Sequence, residues 1–312
     1  EAVQVRNAQV RYAKLALATY NSYEDSFWHV QAADCGGAFY ANAPATRPVR
    51  VENALCVGLS NYVFRSYHAD WQGEHLTAEG ASDLLQNAAY SSLTLRNSLL
   101  VGIENLGGYT DGGGNFVFSD GGGIWEPAVS GGCYLPAGSR LRDQGVQTID
   151  ADLWAELQQR TTAGPELLSG ALTNRWVLNP RGLGDAGRPD VGYHYPIVDY
   201  AVSNLVLQAD LTLTNGVAVG FAGQYGLWLQ DGGGVQSAGA PQGPNRIVNA
   251  PAVSELPQSG KPSTFITIYG TSEPVSVRMR FTEATLWGAY FLSVSYTHLR
   301  AHETPAHLVC RL

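Results

Sequence analysis

Five stretches in the first hundred residues repeat one pattern of apolar and polar positions: VQVRNAQVRYA (3–13), WHVQAADCGGA (28–38), VRVENALCVG (49–58), EHLTAEGASDL (74–84) and LTLRNSLLVG (93–102). Superposed, they give an aliphatic column of Val5, Val30, Val51, Leu76 and Leu95. Five residues later comes a small or apolar column of Val10, Cys35, Cys56, Ala81 and Leu100. The positions flanking the first column are polar throughout. Before it stand Gln4, His29, Arg50, His75 and Thr94, and after it Arg6, Gln31, Glu52, Thr77 and Arg96. Strand side chains alternate between faces, so the pattern predicts an inward aliphatic ladder between two outward polar ones. Asn7, Asn53 and Asn97 lie 46 and 44 residues apart, and His29 and His75 lie 46 apart between them, so one turn takes 19 to 25 residues. Units of that length bury their apolar face only by stacking on one another.

This pattern resembles the right-handed parallel β-helix of the pectin-lyase-like superfamily over residues 1–104. A second stretch, 189–253, carries PDVGYHYPIVDY, LTLTNGVAVG, YGLWLQDGG and PNRIV. It is similar to large secreted bacterial β-helix proteins of unassigned function. The resemblance implies an all-β solenoid with an extracellular or cell-surface location, and it is silent on activity.

The rhythm breaks over 105–190. DGGG at Asp111 and Asp120 flanks a short FVF strand, and Asp231 begins a third DGGG. Nine-residue Gly/Asp repeats bind calcium in β-rolls. The GGxGxD spacing is missing here, so tight turns are the favoured reading and calcium the weaker one. One helix is expected over 150–162, with Ile149, Leu153, Trp154 and Leu157 on one face, Asp150 or Asp152 as its cap, and Gly164-Pro165 as its stop. Residues 166–190 are expected to be an extended connection. Residues 191–293 read as further short strands of a β-solenoid or β-rich part, SVRMRFTEATL among them.

Residues 294–312, VSYTHLRAHETPAHLVCRL, resemble translated sequencing-adapter read-through. They are therefore expected to be a non-native tail adding little packing, even at Val294, Leu299, Leu308 and Val309. On that reading the chain is an environmental fragment, open at both ends. A metal site built from His298, His302, His307 and Cys310 would then be an artefact.

Composition narrows the function classes. Hydrophobic residues make up 45% of the 312, enough for a core, so the chain is not disordered. Net charge is −8 and the only lysines are Lys14 and Lys261, which argues against nucleic acid as a partner. No apolar run reaches the length of a membrane span. Oligomeric state is left open.

Candidate chemistry is sparse. GLGDAG (182–187) fits GxGxxG, but Pro189 opposes the helix a dinucleotide site needs, and a loop is expected. Cys35 and Cys56, in one column on neighbouring turns, are expected to be stacked thiols rather than a disulfide. Cys133 has no assigned partner, and no zinc signature is present. YHADWQGEHL (67–76) gathers His68, Asp70, Glu74 and His75. A solvated corner is the favoured reading, and a metal or acid–base site the alternative. Glu74 falls where other turns carry Val3, Trp28, Val49 and Leu93, which marks it as a register break or a functional group.

There is no adjacent Asp pair and no Gly-His-Gly, the constellation that polygalacturonase-like enzymes display. The expected function is therefore a secreted or surface-displayed structural, adhesin-like or glycan-contacting module. The alternative is a polysaccharide lyase or glycoside hydrolase. The candidate ligand site is the outward strand face with His29, Arg50, Glu52 and His75, and Glu74 at its edge. Arg forks pair well with the carboxylates of a polysaccharide or cell-surface glycan. No resident metal or cofactor is assigned, and no catalytic residue.

Overall fold

The computed structural model describes residues 2–20, 24–42, 48–87, 91–256, 264–269, 273–286 and 289–295. The chain is all-β apart from one short α-helix and one 3-10 turn among these residues. It divides into two compact units: Glu1–Glu126 with Cys133–Ala163 and Gly184–Pro196, and Pro127–Gly132 with Gly164–Leu183 and Ile197–Leu312. The stretch expected to be a connection is thus shared out. Residues 166–178 form the first three strands of the second unit, and 184–196 belong to the first.

In the first unit Gln4–Arg6, Ser26–Ala33, Val49–Val57, Asp70–Glu79, Ser92–Arg96 and Thr110–Asp111 are successive parallel neighbours. Leu17–Thr19, Gly37–Asn42, Tyr62–Tyr67 and Asp83–Gln86 form a second parallel sheet. Between strand segments the backbone turns at Asn7, His29, Asn53, His75 and Asn97, with φ of 53°, 56°, 52°, 53° and 51°. Asn and His are among the few residues enriched in that left-handed region. A second bend follows at Tyr12, Asp34, Gly58, Gly80 and Gly102.

The first bend corrects the register read from the sequence. Val5 pairs with Phe27, Phe27 with Val51, Val51 with Gly73, and Gly73 with Leu95. Val30 instead pairs with Ala54, and Ala54 with Leu76, on the far side of the bend. The left-handed residue breaks the two-residue alternation, so interior positions lie three apart across it: Phe27 and Val30, Val51 and Ala54. That offset is the error made when Val30 and Leu76 are placed with Val5, Val51 and Leu95. All five nonetheless contribute to one interior cluster, in which Phe27 stacks on Phe39 (5.7 Å) and Phe39 on Phe64 (5.5 Å).

Cys56 pairs with Ala32 and Ala78, so Cys35 is not in its column; both are buried, unbridged thiols. The helix spans Ala151–Leu157, shorter than expected. Asp150 caps it, and after Gln158 the chain enters Arg160–Thr161, which pairs antiparallel with Tyr195–Pro196. Its apolar face is the expected one: Leu153 and Leu157 are fully buried against Trp28, with Ile149 and Trp154 packed alongside.

The second unit has three parallel sheets and its own core, with Val202, Leu207, Phe221, Leu229, Ile247 and Phe265 at its centre. The stretch read as the single strand SVRMRFTEATL is two, Ser276–Arg280 and Thr282–Thr285, broken at Phe281 with φ 43°. Val294 lies in the strand Tyr290–Ser295 opposite Ile268 and packs partly buried on that core, so the expected tail boundary falls inside a strand. Leu299, Leu308 and Val309, with His298, His302, His307 and Cys310, lie outside the described residues.

Candidate functional site

The outward face of the first strands presents two corrected columns. One runs Gln4, Ser26, Arg50, Gln72, Thr94, and the other runs Arg6, Trp28, Glu52, Glu74, Arg96. Glu74 is therefore no intruder among apolar residues. It is the ladder neighbour of Glu52, one strand spacing away, about 4.8 Å. Thr148, Ile149 and the helix-capping Asp150 close the edge of a groove of about 440 Å³ above Arg50, Glu52, Gln72, Gly73, Glu74, Thr94 and Arg96.

Charge inside the groove is only partly compensated. Arg50 Nη2 lies 3.1 Å from Glu24 Oε1, and Arg50 Nη1 lies 4.0 Å from Glu52 Oε1. Arg96 Nη1 donates to the Thr148 carbonyl at 2.7 Å and lies 3.9 Å from Glu74 Oε1. Glu52 is only 4% exposed. Four buried polar atoms lack a hydrogen-bond partner among the described residues: Arg50 Nε, Arg96 Nε, Glu52 Oε2 and Glu74 Oε1. Burial disfavours a charged carboxylate and pushes both glutamates up to about 7. At Glu52 the pull of Arg50 opposes the rise, while Glu74 and Asp150 add to it. At Glu74 the pull of Arg96 opposes the rise and Asp150 adds to it.

Of the five expected site residues, Arg50, Glu52 and Glu74 meet in this groove, and His29 and His75 do not. Both histidines occupy the bend column and are buried under the cover, at 3% and 0% exposure, so their placement on the open ligand face, as read from the sequence, is corrected. His29 Nε2 contacts the Glu156 carboxylate, which also binds Arg6 Nη1 at 2.6 Å; His29 Nδ1 accepts from Asn53 Nδ2 at 2.9 Å. Burial, then the Arg160 charge, hold His29 down to about 4 against the opposing pull of Glu156. Asn97 Nδ2 donates to His75 Nε2 at 3.1 Å. Burial, then the neighbouring His194 ring 5.1 Å away, keep His75 well below its ordinary value.

The bend column instead staples a cover onto the strands. Asn53 Oδ1 accepts from the His194 backbone N–H (2.7 Å), and Asn53 Nδ2 donates to the His194 carbonyl (2.9 Å). Asn97 grips Val146 in the same two-bond manner, at 2.7 and 3.1 Å. Each side-chain amide thus imitates a neighbouring strand. In the 67–76 cluster, His68 stays at an exposed bend and Asp70 opens the next strand, also exposed, where it accepts from Ser92, while Glu74 faces the groove and His75 the cover.

Arg96 was already visible as an outward residue. Thr94 was visible in the same way; Gln72 emerges only with the correct register, whose signal is the near-even 22- to 24-residue spacing of the Asn and His positions taken together, and Asp150 joins the groove only through the helix cap. Asp111 and Asp120 accept backbone N–H bonds from Gly113 and Gly122 in tight turns, and GLGDAG is a loop. Among the described residues no group of three or more His, Cys, Asp or Glu is placed to hold a metal ion, and no helix is long and apolar enough to cross a membrane. Comparison with known proteins finds no matching family model, no similar curated protein and no similar solved structure.

Proposed function

We propose that both units are parallel β-helices of the pectin-lyase-like kind, in a secreted or surface-displayed protein whose groove contacts a glycan. The first unit supports the architecture through its near-constant repeat and in-register parallel ladders. One observation carries the binding reading. The groove spans three successive strands and holds two unpartnered donors, on Arg50 and Arg96, beside two unpartnered acceptors, on Glu52 and Glu74. A saccharide's hydroxyls both donate and accept, and buried polar groups left unpaired favour a ligand that pairs them. The test is a binding screen against acidic and neutral polysaccharides, repeated with Arg50→Ala. Binding to at least one class, weakened about tenfold or more by the substitution, is expected. Unchanged binding would remove the site.

A second reading, cleavage of the bound polysaccharide, draws on the two glutamates, whose proton affinities lie near neutrality, as acid–base catalysis requires. Release of reducing ends, or of an unsaturated product, in the same screen would promote it. The adapter reading of the C-terminal stretch is tested by sequencing the source DNA across that junction.

A further inference from the structure

We infer that the groove seats an amino sugar, with its ammonium group held between the unpartnered carboxylate oxygens of Glu52 and Glu74. This rests on the glycan-contacting reading and narrows it to a chemical class, a saccharide carrying a primary amine in place of a hydroxyl. The starting point is the placement of Glu52. It is almost wholly buried, lines the groove, and leaves Oε2 without a partner among the described residues. Glu74, its ladder neighbour on the adjacent strand, leaves Oε1 without one in the same way.

The unpartnered acceptors and donors are arranged differently. The two glutamates stand on neighbouring strands, about 4.8 Å along the stack. Arg50 and Arg96, which carry the two unpartnered Nε donors, belong to different columns on strands two spacings apart, about 9.6 Å. A single ligand group reaches both carboxylates, whereas each Nε suits a separate hydroxyl. The arginines also spend their closest contacts elsewhere, Arg50 on Glu24 at 3.1 Å and Arg96 on the Thr148 carbonyl at 2.7 Å. Their separations from Glu52 and Glu74, 4.0 and 3.9 Å, are too long for hydrogen bonds. Asp150 adds a third carboxylate from the helix cap, and Arg6, further along the column, is paired with Glu156. The lining thus sets three carboxylates against two arginines, one of them shared with Glu24, and is short of positive charge beside the glutamates.

A primary ammonium supplies what is missing there. It carries three N–H donors and a full charge, and its hydrogen bonds to ionised carboxylates are the strong, charge-assisted kind. Without it the buried carboxylates stand uncompensated, and burial pushes both up to about 7; a cation seated between them offsets that cost. The sugar's remaining hydroxyls pair with Arg50 Nε, Arg96 Nε, the Gln72 amide and the Thr94 hydroxyl. An N-acetyl group at the same position removes the charge and leaves one N–H, so acetylation separates an ammonium seat from general contact with a sugar.

The experiment is titration calorimetry on the full chain at pH 7. The ligands are tetrasaccharides of 2-amino-2-deoxyglucose and of 2-amino-2-deoxygalactose, each as the free amine and as its N-acetylated twin. Spermidine, which carries ammonium groups without a sugar, is the third arm. At least one free amine is expected to bind at least tenfold more tightly than its acetylated twin and than spermidine. Glu52→Gln and Glu74→Gln, checked by circular dichroism and melting, should each weaken the amine about tenfold or more and leave any binding of the twin unchanged. Equal or tighter binding of the twin, or undiminished binding of the amine by both variants, overturns the inference and leaves the glycan reading standing. Spermidine binding as tightly as the amino sugar also overturns it, because the sugar then contributes nothing. Failure of every sugar to bind, the polysaccharides of the screen included, overturns both.

Discussion

The two units turn their chains between parallel strands in different ways. The first bend of the first unit is Asn or His on every repeat, and ladder partners Arg6, Trp28, Glu52, Glu74 and Arg96 follow at intervals of 22, 24, 22 and 22 residues. In the second unit Gly170, Asn204 and Gly223 make the corresponding turn. Its ladder partners Glu166, Tyr200, Val219, Ile247 and Ala284 are 34, 19, 28 and 37 residues apart. A glycine meets only the backbone's demand for positive φ. An asparagine meets it and also grips a second segment, so its position along the repeat is fixed by two partners. Bends that hold something keep their spacing, whereas bends that only turn leave the connections free to vary in length.

The comparison is tested most severely by Asn53→Gly. Glycine keeps the backbone conformation but deletes three side-chain hydrogen bonds and leaves the buried His194 backbone groups unpaired. A loss of about 3 kcal/mol or more in denaturant unfolding of the first unit is expected. Little or no change would mean that the staple contributes nothing to stability.

Titration gives an effect of similar size. Glu52 and Glu74 hold protons up to about 7 in the folded chain, against 4.5 as their ordinary value. Their contribution is therefore full below pH 4.5 and is lost as pH rises through 7. Glu52→Gln should match the parent near pH 4.5 and exceed it by up to roughly 3 kcal/mol at pH 8. His29 has the opposite sign. Held down to about 4 against 6.5, it favours the folded state above pH 6.5 and loses that advantage as pH falls towards 4. Melts across pH 4–8 that show neither slope would contradict the burial of these groups.

The second unit should break at glycine instead. A Cβ on Gly233 would lie 2.2 Å from the Leu207 carbonyl oxygen, so Gly233→Ala is expected to cost about 1–3 kcal/mol there. Asn204→Gly, the mirror of the first substitution, should shift stability by less than about 0.5 kcal/mol, because it changes only the cost of a left-handed residue. A large loss at Asn204 would erase the distinction between the two kinds of bend.

Much of this was legible in the residues themselves, and the gaps have physical causes. The repeat, the Asn positions, and Arg50, Glu52 and Arg96 as outward groups all follow from alternation. Alternation fails at a left-handed residue, and that misplaced Val30, Leu76, His29 and His75. Asn7 and His29 look unalike, yet both tolerate positive φ, and only that shared property puts them in one column. The cover, 133–163 and 184–196, has no repeat of its own. Neither the burial of the histidines nor the Asp150 wall of the groove could be read before its hydrogen bonds to Asn53 and Asn97 were seen.

Those staples also impose a timetable. Asn53 and His194 are 141 residues apart, whereas neighbouring strands are joined over 22 to 24. During synthesis the strands can pair as each repeat emerges, and the first cover segment then reaches Asn97 and His29, but Asn53 and His75 must wait for the second cover segment. At typical elongation rates the interval between Phe118, which ends the last strand of this stack, and His194 is roughly 4–15 s. For that time the Asn53 and His75 side chains face water, and polar groups are what can stand there without drawing another chain onto an unfinished surface. The chemistry that completes the fold late is thus also the chemistry that keeps it soluble while it is incomplete.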